Sequence, residues 1–254
     1  MFDASAPAAA AHYQPVPRLL SEIEAVSAAH DCGHLVLVQP SVYGTDNSLL
    51  LASLAASAGR HRGVVVLAGD ESPAALNGMQ SAGVRGVRFN LVSPVGSARD
   101  DAIATLRRLV PTLRTRGWHV QWYVAAGELP LLARLQRETR LPFVLDHLAG
   151  LTPASGADSA AWEALGQLAG AGAWIKLSGW YRLQAAAPYA AMDPLIRRVA
   201  ALFGDHVAWG SDWPHTSFAA DAMPTYESLW EPVVRALGPW RALQARDAGA
   251  RLYS

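Results

Sequence analysis

The chain has 254 residues, 51% of them apolar and 17% charged, and its 21 basic and 21 acidic residues give a formal net charge of zero. This composition excludes an intrinsically disordered chain and argues against a basic nucleic-acid-binding protein. The single cysteine excludes an internal disulfide and a cysteine-cluster metal site, and no apolar run approaches the roughly 20 residues of a membrane-spanning helix.

Seven short apolar segments alternate with stretches of helical character along the chain. The segments lie at residues 34–39, 63–68, 84–90, 119–124, 142–147, 173–178 and 207–210. Between them apolar residues recur at helical spacing, for example at Leu106, Leu109, Val110 and Leu113. Such alternation is typical of parallel strands joined by helices, and the lack of a linker or composition break favours one domain over residues 1–254.

The number of strand–helix units favours a (β/α)₈ TIM barrel. An open doubly wound sheet is less well supported, because no glycine-rich phosphate turn follows the first strand. The count is nevertheless one strand short of a barrel. Ahead of residue 34 the sequence predicts only a helix over residues 18–30, preceded by an irregular Ala/Pro segment. We therefore expect an α/β chain of the TIM-barrel type that lacks its first strand.

Polar side chains recur at the carboxyl ends of the predicted strands, where TIM barrels carry their active sites. Six strand ends supply them: Gln39, Ser41 and Tyr43; Arg85, Arg88 and Asn90; Tyr123; Asp146 and His147; Lys176, Ser178 and Arg182; Asp212 and His215. Together these residues offer carboxylate, imidazole, phenol and guanidinium groups. Their position predicts a catalytic pocket.

Several of these residues have a structural interpretation beside the catalytic one. Asp212 either caps the turn that follows it or acts as a general base; the tryptophans on either side favour the second role, since they would exclude water and raise its pKa. His147 ends an apolar strand, where a histidine is often structural. Lys176 is as consistent with a buried ion pair as with catalysis. Arg85 and Arg88 are three residues apart on one strand, so at most one of them faces the interior.

Metal-dependent and serine-dependent chemistry have little support in this sequence. Barrel hydrolases commonly place two metal ligands in a His-x-His motif on strand one, and this chain contains no His-x-His. The remaining candidates, His147, Asp212 and His215, fall short of a firm ligand set. No Gly-x-Ser-x-Gly motif is present either. We therefore expect a reaction without a metal or any other cofactor.

Four motifs, in order along the chain, resemble the amidohydrolase-related family, in the branch that contains 2-pyrone-4,6-dicarboxylate lactonase and sugar-acid lactonases. They are residues 39–47, 83–90, 146–150 and 209–215, and the likeness extends from His34 to Tyr253. The resemblance implies a TIM barrel in which Asp212 activates water and His147 polarises the substrate carbonyl. It further implies that Arg88, Tyr123 and Arg182 hold substrate carboxylates and that no divalent metal is needed.

Two features depart from the family pattern. Pro94 stands where the lactonase has a second substrate-binding arginine, so a dicarboxylate would lose a charge-assisted contact. The His-x-His motif, which relatives follow with Val-Phe-Asp, is absent, although the chain begins Met1-Phe2-Asp3. This leads to the hypothesis that Met1 is an internal start and that both histidines lie upstream, which would make a divalent metal possible. Reading the upstream codons in frame tests it.

The sequence thus predicts a hydrolase that opens a carboxylate-bearing lactone, with Asp212 and His147 as catalytic residues. The expected substrate-binding residues are Arg88, Tyr123, Arg182, Ser41, Tyr43, Asn90 and His215. Three alternatives stay open: a lactone isomerase on the same scaffold, a metal-dependent amidohydrolase or decarboxylase, and an inactive, truncated barrel. Because the N-terminal sequence lacks the basic and apolar regions of a signal peptide, we expect a cytoplasmic protein. The expected partner is a small anionic lactone, and we expect no binding to nucleic acid or to a membrane.

Overall fold

The computed structural model describes residues 16–216 and 218–254, and the chain forms two compact units that meet in sequence between Gln121 and Trp122. The first unit contains the strands β1 (Val36–Val38), β2 (Arg62–Val65) and β3 (Val84–Asn90) and the helices α1 (Leu20–Ala28), α2 (Ser48–Ala56), α3 (Pro73–Ser81) and α4 (Arg99–Arg116). Strand β4 (His119–Tyr123) begins in the first unit and ends in the second. The second unit contains β5 (Phe143–Leu145), β6 (Trp174–Leu177) and β7 (Val207–Trp209), with α5 (Leu129–Thr139), α6 (Ser159–Gly170), α7 (Asp193–Phe203), α8 (Tyr226–Leu237), α9 (Pro239–Asp247) and α10 (Gly249–Leu252).

Within each unit the strands follow one another in the sheet in the order in which they occur in the chain. β1 pairs in parallel with β2 and β2 with β3, while β5 pairs in parallel with β6 and β6 with β7. In parallel sheets both faces are covered, which explains why these strands read as continuous apolar runs rather than as alternating ones. The carboxyl ends of β5, β6 and β7 therefore lie at one edge of the second unit.

All seven predicted strands are confirmed, and the helix predicted over residues 18–30 is α1. Among the residues that the structure describes there is no strand ahead of β1, as expected. The irregular segment predicted before residue 16 lies outside the described residues. The prediction of one domain over residues 1–254 stays a prediction.

Short polar side chains set the helix boundaries. Ser72 caps α3 by accepting a hydrogen bond from the Ala75 amide at 3.2 Å, and Thr225 caps α8 in the same way. α4 ends at Gly117, whose φ of 66° lies in the left-handed region that glycine adopts without strain. No helix within 16–216 and 218–254 is long and apolar enough to cross a membrane.

Candidate active site

The carboxyl ends of β5, β6 and β7 bring a histidine, a tyrosine, an arginine and an aspartate together in the second unit. His147 follows β5, and Tyr181 and Arg182 lie on a 3₁₀ turn (Trp180–Leu183) that follows β6. Asp212 follows β7. The Nε2 atom of His147 is 3.8 Å from Oδ1 of Asp212. The two residues predicted to be catalytic therefore face each other.

The carboxylate of Asp212 has unequal surroundings at its two oxygens. Oδ2 accepts a hydrogen bond from the phenol of Tyr181 and another from Nε of Arg182, each at 2.6 Å. The side chains of Asp212 and Arg182 are only 19% and 20% exposed, so water weakens this ion pair little. Oδ1, by contrast, faces the imidazole of His147.

The expected direction of the Asp212 pKa shift is wrong. Burial alone raises the pKa of Asp212, but the electrostatic interactions with His147 and Arg182, with the hydrogen bonds from Tyr181 and Arg182, outweigh it and lower the pKa to about 2. The ring of Trp209 packs against Trp230 and Tyr226 at centroid distances of 5.2 and 4.9 Å. Cations and donors, rather than tryptophans, therefore dominate the electrostatics of the carboxylate.

The backbone at these positions is strained. His147, Asp212 and His215 have φ values of 48°, 55° and 58°, in the left-handed region that side-chain-bearing residues rarely adopt. Such conformations cost free energy and occur preferentially at functional sites, where the surrounding structure holds them in place. The strain supports a functional role for Asp212 beyond the turn cap that the sequence left open.

The ring of His147 is held from three directions. Its Nδ1 lies 2.9 Å from Oγ of Ser178, and the ring of Tyr123 meets it edge-on at a centroid distance of 4.9 Å. A Cβ atom on Gly179 would lie 2.5 Å from Nδ1 of His147, so that only glycine leaves room for the ring. These contacts fix the direction in which Nε2 points.

His215 lies in the turn that starts at Asp212. Its amide donates a hydrogen bond to the carbonyl oxygen of Asp212 at 3.1 Å, and the residue is only 4% exposed. Burial lowers the pKa of His215 to about 4 against the opposing charge of Asp212, so the ring is neutral at neutral pH.

Three predicted binding residues of the first unit meet at one hydroxyl group. Oγ of Ser41 accepts hydrogen bonds from Nη1 of Arg88 at 3.1 Å and from Nδ2 of Asn90 at 2.7 Å. Arg85 instead donates to the carbonyl oxygens of Gln80 and Val84, which confirms that the two arginines of β3 serve different surroundings. The Ser41 cluster (Ser41, Arg88 and Asn90) offers cationic and amide donors of the kind that bind acidic groups.

Two other polar residues after β1 have a structural place. Gln39 donates to the carbonyl oxygen of Asp46 at 2.6 Å and so closes the loop after the strand. Tyr43 is buried in a small apolar cluster with Val42, Leu49 and Val95.

A second carboxylate–cation pair lies at the ends of β5 and β6. Nζ of Lys176 is 3.1 Å from Oδ1 of Asp146, with side-chain exposures of 12% and 5%. Tyr253, near the C-terminus, interacts electrostatically with both charges. The structural ion pair considered for Lys176 is therefore present.

A model of the amidohydrolase family matches residues 2–232 of the chain. The chain belongs to the amidohydrolase family. A 2-pyrone-4,6-dicarboxylate hydrolase of Comamonas testosteroni is 31% identical over 86% of the chain and 75% of its own length. A 4-sulfomuconolactone hydrolase of Hydrogenophaga intermedia is 31% identical over 72% of the chain, and this match spans 61% of that relative's length.

A solved structure supports the same fold. A protein of Pseudomonas putida designated as a 2-pyrone-4,6-dicarboxylic acid hydrolase is 33% identical, with a TM-score of 0.85 over 96% of this chain and 90% of its own. The amidohydrolase described here thus has the TIM-barrel fold that the strand pattern predicted, with seven strands in its described residues.

The sequence predicted Asp212, His147 and Arg182 for this pocket but not Tyr181. Arg182 is predicted to bind substrate; its Nε lies 2.6 Å from Oδ2 of Asp212, and a role toward substrate stays a prediction. The same holds for Tyr123, Tyr43 and His215. The available signal for Tyr181 was its position beside Arg182, directly after a strand with polar residues at its end.

The described residues of this amidohydrolase fit a divalent metal poorly. Within 16–216 and 218–254 no three histidine, cysteine, aspartate or glutamate side chains are grouped so as to hold a metal ion. The Asp212 oxygen Oδ2 is engaged by a guanidinium and a phenol, so a metal ion binding there would have to displace the Arg182 charge. The groups around Asp212 are hydrogen-bond donors that hold a carboxylate, whereas a metal centre needs several ligands that donate electron pairs to the ion.

Proposed function

We propose that this amidohydrolase opens a lactone that carries an acidic group, by attack of water on the ring carbonyl. The observation that carries the proposal is the carboxylate of Asp212, ionised, held at one oxygen by two donors and facing His147 with the other. The names of the two curated relatives, hydrolases of 2-pyrone-4,6-dicarboxylate and of 4-sulfomuconolactone, support a substrate of this class.

The reaction divides between the two catalytic residues. Asp212 removes a proton from water as the water oxygen forms a bond to the lactone carbonyl carbon. With the Ser178 hydroxyl donating a hydrogen bond to Nδ1 of His147, the N–H of the neutral imidazole lies on Nε2, where it stabilises the oxyanion of the tetrahedral intermediate. The ring C–O bond then breaks, and the proton held by Asp212 passes to the leaving oxygen.

Cationic donors recognise the acidic group of the substrate. The guanidinium of Arg182 also hydrogen bonds Oγ1 of Thr216 at 3.4 Å, which orients its plane. In the first unit, Arg88, Ser41 and Asn90 stay predicted binding residues because their donors converge. A carboxylate or sulfonate accepts bidentate hydrogen bonds from an arginine, which a neutral lactone does not.

A lactone panel tests the proposal. The purified chain is assayed with 4-sulfomuconolactone, with 2-pyrone-4,6-dicarboxylate and with unsubstituted 2-pyrone as the neutral control. We expect turnover of at least one acidic lactone and none of the neutral one. Absence of turnover on both acidic lactones contradicts the proposal. In ¹⁸O-labelled water, hydrolysis places one label in the new carboxylate, whereas a lactone isomerase yields unlabelled product.

We further propose that the reaction needs no divalent metal. The engagement of Asp212 by Arg182 and Tyr181 supports this, because the carboxylate is already neutralised by protein groups. The rate is expected to stay within about twofold after prolonged treatment with a chelator, and recovery on addition of zinc would contradict it. The cytoplasmic location expected from the sequence stays a prediction, which cell fractionation tests.

A further inference from the structure

The phenol of Tyr181 is directed at the catalytic carboxylate by a rigid turn. The turn that carries it, Trp180–Leu183, is anchored by a hydrogen bond at 2.9 Å from Nε1 of Trp180 to the carbonyl oxygen of Leu229. Trp180 is fully buried, so the anchor resists displacement. Tyr181 therefore leaves β6 in a fixed direction.

The ring of Tyr181 is also packed on several sides. Phe218 meets it edge-on at a centroid distance of 4.8 Å and His215 at 6.1 Å. The guanidinium carbon of Arg182 lies 5.1 Å from the ring centroid, within the range of a cation–π contact. Because aromatic side chains have few rotatable bonds, this packing fixes the position of the hydroxyl group.

We propose that Tyr181 is a positioning residue for Asp212, whose phenol holds oxygen Oδ2 so that oxygen Oδ1 is kept for the attacking water beside His147. The inference deepens the proposed function and rests on it for its kinetic consequences. It stands on the 2.6 Å hydrogen bond to Oδ2 and on the separate orientation of Oδ1 toward His147 at 3.8 Å.

The phenol of Tyr181 has a role that Arg182 does not share. In the proposed function the acidic group of the substrate would attract the guanidinium of Arg182 and so weaken its ion pair with Asp212. Tyr181 is neutral and is not drawn away by a negative charge. Burial and the neighbouring Asp212 raise the pKa of Tyr181, so that the phenol keeps its proton and stays a donor over the working pH range. The carboxylate therefore keeps one fixed partner throughout the reaction.

Replacing Tyr181 by phenylalanine removes the hydroxyl group and leaves the packed ring. We expect Tyr181→Phe to lower kcat by about tenfold to a hundredfold, as for a hydrogen bond to a charged group, with KM within about twofold. The acid limb of kcat/KM should move to higher pH, because the carboxylate loses a donor that favours its ionised form. Tyr189→Phe is the matched control: Tyr189 is buried with 3% exposure and is expected to keep wild-type kinetics.

A purely structural role gives a different result. In that case Tyr181→Phe lowers the free energy of unfolding while kcat and the acid limb stay unchanged, and the proposal is overturned. Equal kinetics of Tyr181→Phe and Tyr189→Phe would overturn it as well.

A measurement without substrate separates this inference from the proposed function. The carboxyl carbon of Asp212 is followed by NMR in protein labelled with ¹³C-aspartate, and its signal is assigned by its loss in Asp212→Asn. As the pH is lowered from 7, the signal should begin to titrate at a higher pH in Tyr181→Phe than in the wild type and in Tyr189→Phe. If all three proteins give superimposable titrations, Tyr181 does not hold Asp212, whether or not any lactone is turned over.

Discussion

Two carboxylate–cation pairs lie at strand ends of the second unit, and they differ in backbone and in partners. Asp146 pairs with Lys176 at 3.1 Å on relaxed, extended backbone with φ of −72°. Asp212 pairs with Arg182 at 2.6 Å on left-handed backbone with φ of 55°. Asp212 also has Tyr181 and His147 around it and is more exposed, at 19% against 5% for Asp146.

The difference supports a structural role for the Lys176 pair and the proposed catalytic role for the Arg182 pair. The Lys176 pair neutralises two buried charges where β5 and β6 end, and its backbone costs nothing. The Arg182 pair combines strained backbone with several donors at one oxygen, an arrangement that folding alone does not require. The distance between the two charges therefore does not tell a structural ion pair from a functional one. The backbone conformation and the other hydrogen-bond partners distinguish them.

The largest expected effect comes from Asp212, the proposed general base. Asp212→Asn should lower kcat by about 10³-fold, because the amide cannot accept the proton of water, and should lower the free energy of unfolding by about 2 kcal/mol, because Arg182 loses its carboxylate partner. Steady-state kinetics with the acidic lactone and urea unfolding check both halves. A variant that keeps more than a tenth of the activity would remove Asp212 from its catalytic role.

Breaking the other pair should affect stability without affecting kcat. Lys176→Met leaves Asp146 buried without its cation and should lower the free energy of unfolding by about 3–5 kcal/mol, with kcat per folded molecule unchanged. The control is Arg60→Met, which breaks an ion pair with Glu24 whose arginine is 56% exposed and should cost about 1 kcal/mol or less. Equal losses in the two variants, measured by urea unfolding, would contradict the assignment.

Acid should destabilise the Asp212 turn through His215. The folded pKa of His215 is about 4, below its ordinary value of 6.5, so between these values the unfolded chain binds the proton first. Stability is therefore lost as pH falls from about 6.5 to 4, by an amount on the order of 3 kcal/mol. Unfolding free energies at three pH values should show a shallower slope in His215→Gln. An unchanged slope would refute the effect.

The smallest expected effect concerns the room beside His147. Gly179→Ala should lower the free energy of unfolding by about 2 kcal/mol, because alanine is strained at φ of 65° and its Cβ would clash with the imidazole. Activity should fall with it, since the ring must move. Gly166→Ala is the control: it lies within α6 with no atom near its Cβ and should be neutral or stabilising. Full activity in Gly179→Ala would mean that the position of His147 is not critical.

The sequence allowed the strands to be predicted, because they depend on local pattern, and the family resemblance pointed to Asp212 and His147. Residues 84–90 were predicted as a strand with the same bounds as β3, and Asp212 and His147 each lie within three residues of the end of an apolar strand. Tyr181 and the pKa of Asp212 could not be predicted in the same way. They depend on a turn that brings Tyr181 and Arg182 onto a carboxylate 31 and 30 positions further along the chain, which no short-range pattern encodes.

The segment from His147 to Gly150 is four consecutive residues with φ between 46° and 73°, a single turn of the opposite hand to an ordinary helix. A Cβ on Gly150 would lie 2.3 Å from the carbonyl oxygen of Val124, so this turn packs tightly against the backbone that follows β4. In directed evolution the backbone of this segment should be left unchanged. Libraries aimed at new lactones are best built on side chains around it, because a substitution at Gly150 would move the imidazole before it altered any substrate contact.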